Sequence, residues 1–268
     1  MNRPPAVFFL TSHGMAGDHW FDWLPKALGS HSEIFVYMGE SVRSKYLHER
    51  SRKERPDVVA FAEFLFDLGT PYTAIGECFA YRSYQLDPLR RRFGGQVRFA
   101  NILRDPFCWM EFFVTWRCNN LNQAPGVTTA IDHEWAVARH EEFAALKLRP
   151  YSREDVEVWA TYQAMHILNR MKTDEADNVV NYRMEDMVGD PRRLQELVAW
   201  LTQGRIEYDR AALEAIYSWV DTPWRAGARV LADPAAIRQQ WPEWKHEAFA
   251  ALVTQATRER FSRLGYGE

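Results

Sequence analysis

The residues of this chain whose types and positions could do chemistry are a Gly-containing turn near the start, an acid in an apolar setting, and an arginine at the end of an apolar run. The turn is His13-Gly14-Met15-Ala16-Gly17-Asp18-His19-Trp20, directly after AVFFLTS at residues 6 to 12. A strand that runs through such a turn into a helix gathers unpaired backbone N–H groups around one point, beside the positive end of the helix dipole. Gly14 and Gly17 let the backbone come close, so a phosphate-like anion is the ligand this turn suits. The same segment also reads as a plain connection between two elements. The pattern GxxxxGK followed by Ser or Thr is absent, which disfavours an ordinary ATPase. Glu77 stands among Cys78, Phe79 and Tyr81, where burial would raise its pKa. Arg104 ends RFANILR, and a guanidinium at the carboxyl edge of an α/β sheet can clasp a phosphate with two parallel hydrogen bonds. Its plain alternative is a surface pair with Asp105.

Alternating strands and helices must position these residues. AVFFLTS has the continuous apolar character of a buried parallel strand. From Asp18, Trp20, Phe21, Leu24 and Leu28 recur at helical spacing, and Gly29 marks a helix stop. The segment 33 to 38 predicts a second strand, and 57 to 68 a helix that follows Pro56. Tyr72 to Cys78 predicts a third strand, with Glu77 just past its core at 72 to 76, and a polar helix carrying Arg90 to Arg92 comes next. Residues 96 to 104 predict a fourth strand, after which Pro106 opens a helix. Helical stretches at about 131 to 148 and 152 to 172 precede a strand at 177 to 185, and Asp190-Pro191 opens the helix of Leu194, Leu197, Val198 and Leu201. This order predicts an α/β, three-layer, P-loop-like fold with a mostly parallel central sheet flanked by helices. No linker divides the chain, so a single domain over 1 to 268 is expected, with a helical elaboration at about 106 to 176 and a helical C-terminal segment at about 205 to 268.

Composition removes other classes. A formal net charge of -3 on 268 residues gives no general attraction to a polyanion, and RSKYLHERSRKER, from Arg43 to Arg55, mixes its bases with Glu49 and Glu54. No nucleic-acid partner is expected. Cys78, Cys108 and Cys118 have neither zinc-knuckle spacing nor the density of a disulfide scaffold, which fits a reduced, cytoplasmic setting. AVFFL is far too short to span a membrane. His133, His140 and Glu141 fall at helical spacings, but a polar helix exposes such residues to solvent more often than it binds metal.

Three separated blocks resemble sulfotransferases. GMAGDHW at 14 to 20 is similar to the family's PKSGTTW or RSGTHW turn, keeping Gly17, His19 and Trp20. GECFAYRSYQLDP followed by RFANILRDP resembles the GEKTPxYL and KxIxLLRDP blocks of the bacterial and Golgi-type branch. RMEDMVGDPRRLQELVAWL resembles the YEDL…DP…L…FL block, within which Glu185 and Asp186 are chiefly structural. The resemblance implies transfer of a sulfuryl group from 3′-phosphoadenosine 5′-phosphosulfate (PAPS) to a hydroxyl or amine of a small-molecule or carbohydrate acceptor, leaving PAP and needing no metal. It further implies that the turn from Gly14 to Trp20 holds the phosphosulfate, that Arg104 holds the 3′-phosphate, and that Glu77 is the base that takes the acceptor's proton.

Departures from the family bear on activity. Met15 stands where the family has Lys or Arg, and Ala16 and Asp18 stand where it has Ser or Thr. His13 or His19 could supply the missing charge or proton, since a nearby phosphate favours the charged imidazole; both also read as packed loop residues. Phe112 replaces a Ser ligand eight residues after Arg104, and WRAGAR, with Arg225 and Gly227, is faintly similar to an Arg-Lys-Gly element that closes over the nucleotide. Trp109, Trp116, Trp159, Trp241 and Trp244 fall in segments where the family builds its acceptor pocket. Two rivals share the turn: a non-catalytic nucleotide-binding protein of the same fold, and a P-loop-type phosphotransferase.

Overall fold

The computed structural model describes residues 4–12, 18–38, 57–68, 71–83, 86–121, 153–173, 176–219 and 233–267. They belong to two compact units, Met1–Arg104 with Met171–Leu231 and Asp105–Arg170 with Ala232–Glu268.

The first unit is built on a five-stranded sheet. Its strands are β1 (Ala6–Ser12), β2 (Ile34–Met38), β3 (Ala74–Cys78), β4 (Val97–Leu103) and β5 (Val179–Arg183), in the order β2-β3-β1-β4-β5. Every neighbouring pair is parallel. β1 is the central strand and is buried along its whole length, as a strand covered on both faces must be. One face packs Phe8, Leu10, Ala100 and Ile102 against Trp23, Leu24 and Leu28 of α1 (Asp18–Gly29), and against Leu194, Leu197 and Leu201 of α7 (Pro191–Leu201). The other packs Val7, Phe9, Ile75 and Phe99 against Phe61 and Leu65 of α2 (Val58–Asp67) and Leu89 of α3 (Asp87–Phe93). These are the three layers that the alternating pattern predicts.

Local chemistry fixes the element ends. Asp57 accepts from the N–H groups of Val59 and Ala60 to cap α2, and Asp190 accepts from Arg192 to cap α7, whose first residue is Pro191. Between them in the chain, β5 runs straight into the short α6 (Met184–Gly189). Asp209 caps α8 (Arg210–Ser218) in the same manner. Gly76 in β3 is required by packing, since a Cβ there would come 2.2 Å from the ring of Phe8.

The second unit is helical: α4 (Pro106–Leu121), α5 (Arg153–Arg170), α9 (Pro234–Gln239), α10 (Glu243–Leu252) and α11 (Gln255–Arg263). Val114 and Cys118 of α4 pack on Val156, Trp159 and Ala160 of α5. Lys245 of α10 is 2% exposed, and its ammonium reaches Glu111 at 3.1 Å and Glu157 at 3.7 Å, which ties α10 to both α4 and α5. Two carboxylates and the Trp241 ring, 5.4 Å away, compensate the buried charge. The helix predicted at 131 to 148 lies outside the described residues. No helix among the described residues is long and apolar enough to cross a membrane.

Candidate active site at the carboxyl edge of the sheet

The chain leaves β1 for α1 on one face of the sheet, and leaves the adjacent β3 for α3 on the other. Loops that part in this way open a crevice at the strands' carboxyl ends, the general ligand position of open α/β sheets. Ser12 at the end of β1 is in register with Ile102 of β4, and Arg104 follows two residues beyond. The end of β1 and the arginine that follows β4 therefore share one edge of the sheet. Ser12 and Arg104 are both 2% exposed.

Glu77 belongs to this edge as well. It lies inside β3, which continues to Cys78, rather than after a strand ending at 76. It pairs in register with Phe9 of β1 and Tyr37 of β2, which puts it on the α2 and α3 face beside an aromatic cluster in which Phe9 meets Phe61, Tyr81 and Phe99 at centroid distances of 6.2, 6.0 and 6.1 Å. Glu77 is fully buried, and its Oε1 accepts the Ala80 N–H at 2.6 Å. Phe79, between them, has φ of +68°, a left-handed conformation that costs a non-glycine residue energy and recurs at functional sites. The Phe79 N–H is anchored on the Leu10 carbonyl at 2.9 Å. Next to Glu77, burial pushes the Cys78 thiol well above its ordinary pKa and the neighbouring carboxylate adds to the rise, so Cys78 is an inert packing residue.

A polar rung crosses the same face one step nearer the carboxyl edge. Thr11, Asn101 and Asn181 are in register on β1, β4 and β5. The Thr11 hydroxyl donates to Asn101 Oδ1, while Asn101 Nδ2 donates to Asn181 Oδ1 at 2.8 Å and to the Lys172 carbonyl at 3.2 Å. Asn181 Nδ2 donates in turn to the Thr173 carbonyl at 2.8 Å. The rung fastens segment 171–173 over the sheet. There the Lys172 N–H reaches Ser83 Oγ at 2.9 Å and its ammonium pairs with Asp87. Sequence reasoning missed these residues, which stand beside other polar residues such as Ser12, Arg98 and Arg183 and belong to no local motif.

Of the other residues expected to act, His13, Gly14, Met15, Ala16, Gly17, Arg225 and Gly227 lie outside the described residues, as do His133, His140 and Glu141. Asp18, His19 and Trp20 form the first turn of α1. Phe112 lies on α4, half-buried; Trp109, Trp159 and Trp241 are buried in the helical unit. Asp186 sits 3.9 Å from Arg183 across the first turn of α6, a structural pairing. Among the described residues there is no group of three or more His, Cys, Asp or Glu able to hold a metal ion.

No protein-family model and no curated protein sequence matches the chain. Several solved structures are similar to it, sulfotransferases among them. A mouse sulfotransferase complexed with PAP is 13% identical, with 97% of this chain and 89% of that one covered and a TM-score of 0.49. The sulfotransferase domain of the Synechococcus olefin synthase is 16% identical over 100% and 96% of the two chains, at 0.47. A sulfotransferase from Alicyclobacillus acidocaldarius is 17% identical over 89% and 100%, at 0.42.

Proposed function

We propose that the chain is a PAPS-dependent sulfotransferase that acts on a hydroxyl or amine of a small-molecule or carbohydrate acceptor. One observation carries the reading: the end of β1, the acid Glu77 of β3 and Arg104 after β4 share the carboxyl edge of one parallel sheet, where the loops divide to opposite faces. In this reading the N–H groups of the turn after β1 hold the phosphosulfate and Arg104 grips the 3′-phosphate. The acceptor's oxygen or nitrogen bonds to sulfur as the bond from sulfur to the bridging phosphate oxygen breaks, and Glu77 takes the acceptor's proton. Positioning and charge stabilisation carry most of the rate. Because Glu77 is fully buried, an acceptor reaches it only when the segments covering it part, which makes opening of the crevice a step of the cycle.

Met15 and Asp18, in place of a cation and a hydroxyl, favour a second reading: a nucleotide-binding protein of the same fold that has lost turnover. Calorimetry with PAP against adenosine 5′-monophosphate tests both. Tighter binding of PAP by about tenfold or more is expected from one additional charge-assisted, bidentate contact. Equal affinity for the two would overturn the sulfotransferase reading, and preferential PAP binding without turnover on a broad acceptor panel would select the second.

A further inference from the structure

The helical unit holds a cavity of its own. It has a volume of about 290 Å³ and is walled by residues of α4, α5, α9, α10 and α11 and of the segments after α9, α10 and α11. Its apolar wall is aromatic: Phe107 lies 5.3 Å from Trp241 and 5.1 Å from Phe249, and Phe261 and Val253 continue the surface. That size matches the lower end of small-molecule sites, which bury an apolar body and orient it with a few polar groups. Ala250 and Gly267 are exposed, so the cavity has a mouth.

The polar groups in this wall have one sign. Arg238 and Arg258 line it together with His246, and among the described residues no Asp or Glu does. Arg258 is held in place by donating from Nε and Nη2 to the Val253 carbonyl at 3.1 and 2.9 Å and from Nη2 to the Ala250 carbonyl at 2.9 Å, which secures the end of α10. The Arg238 guanidinium lies over the Phe107 ring at 5.2 Å, and no ion pair to it is formed among the described residues. The half-buried Arg238 thus flanks an apolar cavity whose described wall holds no carboxylate, a charge that an anionic ligand would compensate.

We infer that this cavity binds an amphiphilic anion, an apolar chain or ring that ends in one carboxylate, with the body against Phe107, Trp241 and Phe249 and the acid on Arg238. The inference does not rest on the sulfotransferase reading. Decanoate and decanol, at concentrations below their self-association, are the probes for calorimetry on the full chain. Decanoate is expected to bind saturably and decanol at least about tenfold more weakly, the share of one charge-assisted contact. Arg238→Gln, at a half-buried position, should weaken decanoate about tenfold and leave decanol unchanged. Ala250→Trp at the exposed mouth should abolish binding of both while circular dichroism and thermal unfolding stay as in the wild type. Absence of saturable decanoate binding, equal affinity for acid and alcohol, or an Arg238→Gln variant that keeps its preference would each overturn the assignment.

Discussion

Glu77 and Ala80 are joined across a left-handed residue: Oε1 of the acid accepts the Ala80 N–H at 2.6 Å while Phe79 between them holds φ at +68°. The proposed base is thus also the pin of the turn that leaves β3, and substitutions separate the two tasks. Glu77→Gln keeps an oxygen for the Ala80 N–H and removes the basic carboxylate. It should fold with a stability within about 1 kcal/mol of the wild type and bind PAP as before, while sulfuryl transfer falls by roughly 10²- to 10⁴-fold. Glu77→Ala should in addition lose about 1–3 kcal/mol in urea unfolding, because a buried N–H is left without an acceptor. A Gln variant with wild-type turnover would leave Glu77 a purely structural role.

Arg104 tests the other end of the nucleotide. Arg104→Lys keeps the charge and loses the planar fork, so PAP affinity should drop by about tenfold while adenosine 5′-monophosphate affinity is unchanged. The comparison of the two nucleotides is the informative measurement. Parallel losses for both would mean that the substitution disturbs the sheet edge and not a 3′-phosphate contact.

The strands were legible because a parallel sheet covered on both faces makes its strands continuous apolar runs: AVFFLTS, the core of 72 to 78 and RFANILR became β1, β3 and β4. The start of α7 was equally readable, as Asp190-Pro191 shows. The turn that follows β3 was not, since the chain leaves the strand at Phe79, a residue type that gives no signal of positive φ. The Thr11, Asn101 and Asn181 rung was hidden for a different reason. Each residue alone is an unremarked polar side chain of its strand, and only the register of three strands distant in sequence makes them a network. The cavity of the helical unit escaped likewise, because Phe107 and Arg238 meet through folding and share no local motif.

Asn101 is the centre of that network, so its replacement should cost more than one hydrogen bond. Asn101→Leu nearly conserves volume but leaves the Thr11 hydroxyl, the Asn181 amide and the Lys172 carbonyl without their partner. A loss of about 2–4 kcal/mol in urea unfolding is expected, from buried polar groups at about 1–3 kcal/mol each with partial rearrangement. Hydrogen exchange should show the loosening at segment 171–173. An isolated effect below about 1 kcal/mol would mean that the rung contributes no more than a single bond.

Tyr208 gives a prediction in pH. Its hydroxyl donates to the carbonyls of Ala27 and Leu28 at 2.7 and 2.9 Å, satisfying acceptors at the end of α1, and burial pushes its pKa up to about 12 from 10.0. A phenol whose pKa is higher in the fold than in the unfolded chain stabilises the fold fully below pH 10.0, where both states are protonated. As pH rises from there towards 12, the unfolded chain releases a proton that the folded chain retains, and stability is lost across that window. Tyr208→Phe should therefore lower stability at neutral pH by about 1 kcal/mol and flatten the alkaline decline. Some slope should remain, because Tyr182 is also pushed up to about 12 and burial raises Tyr217 as well. Urea unfolding of the two proteins over this pH range makes the comparison, and an alkaline slope identical in both would remove Tyr208 from the cause.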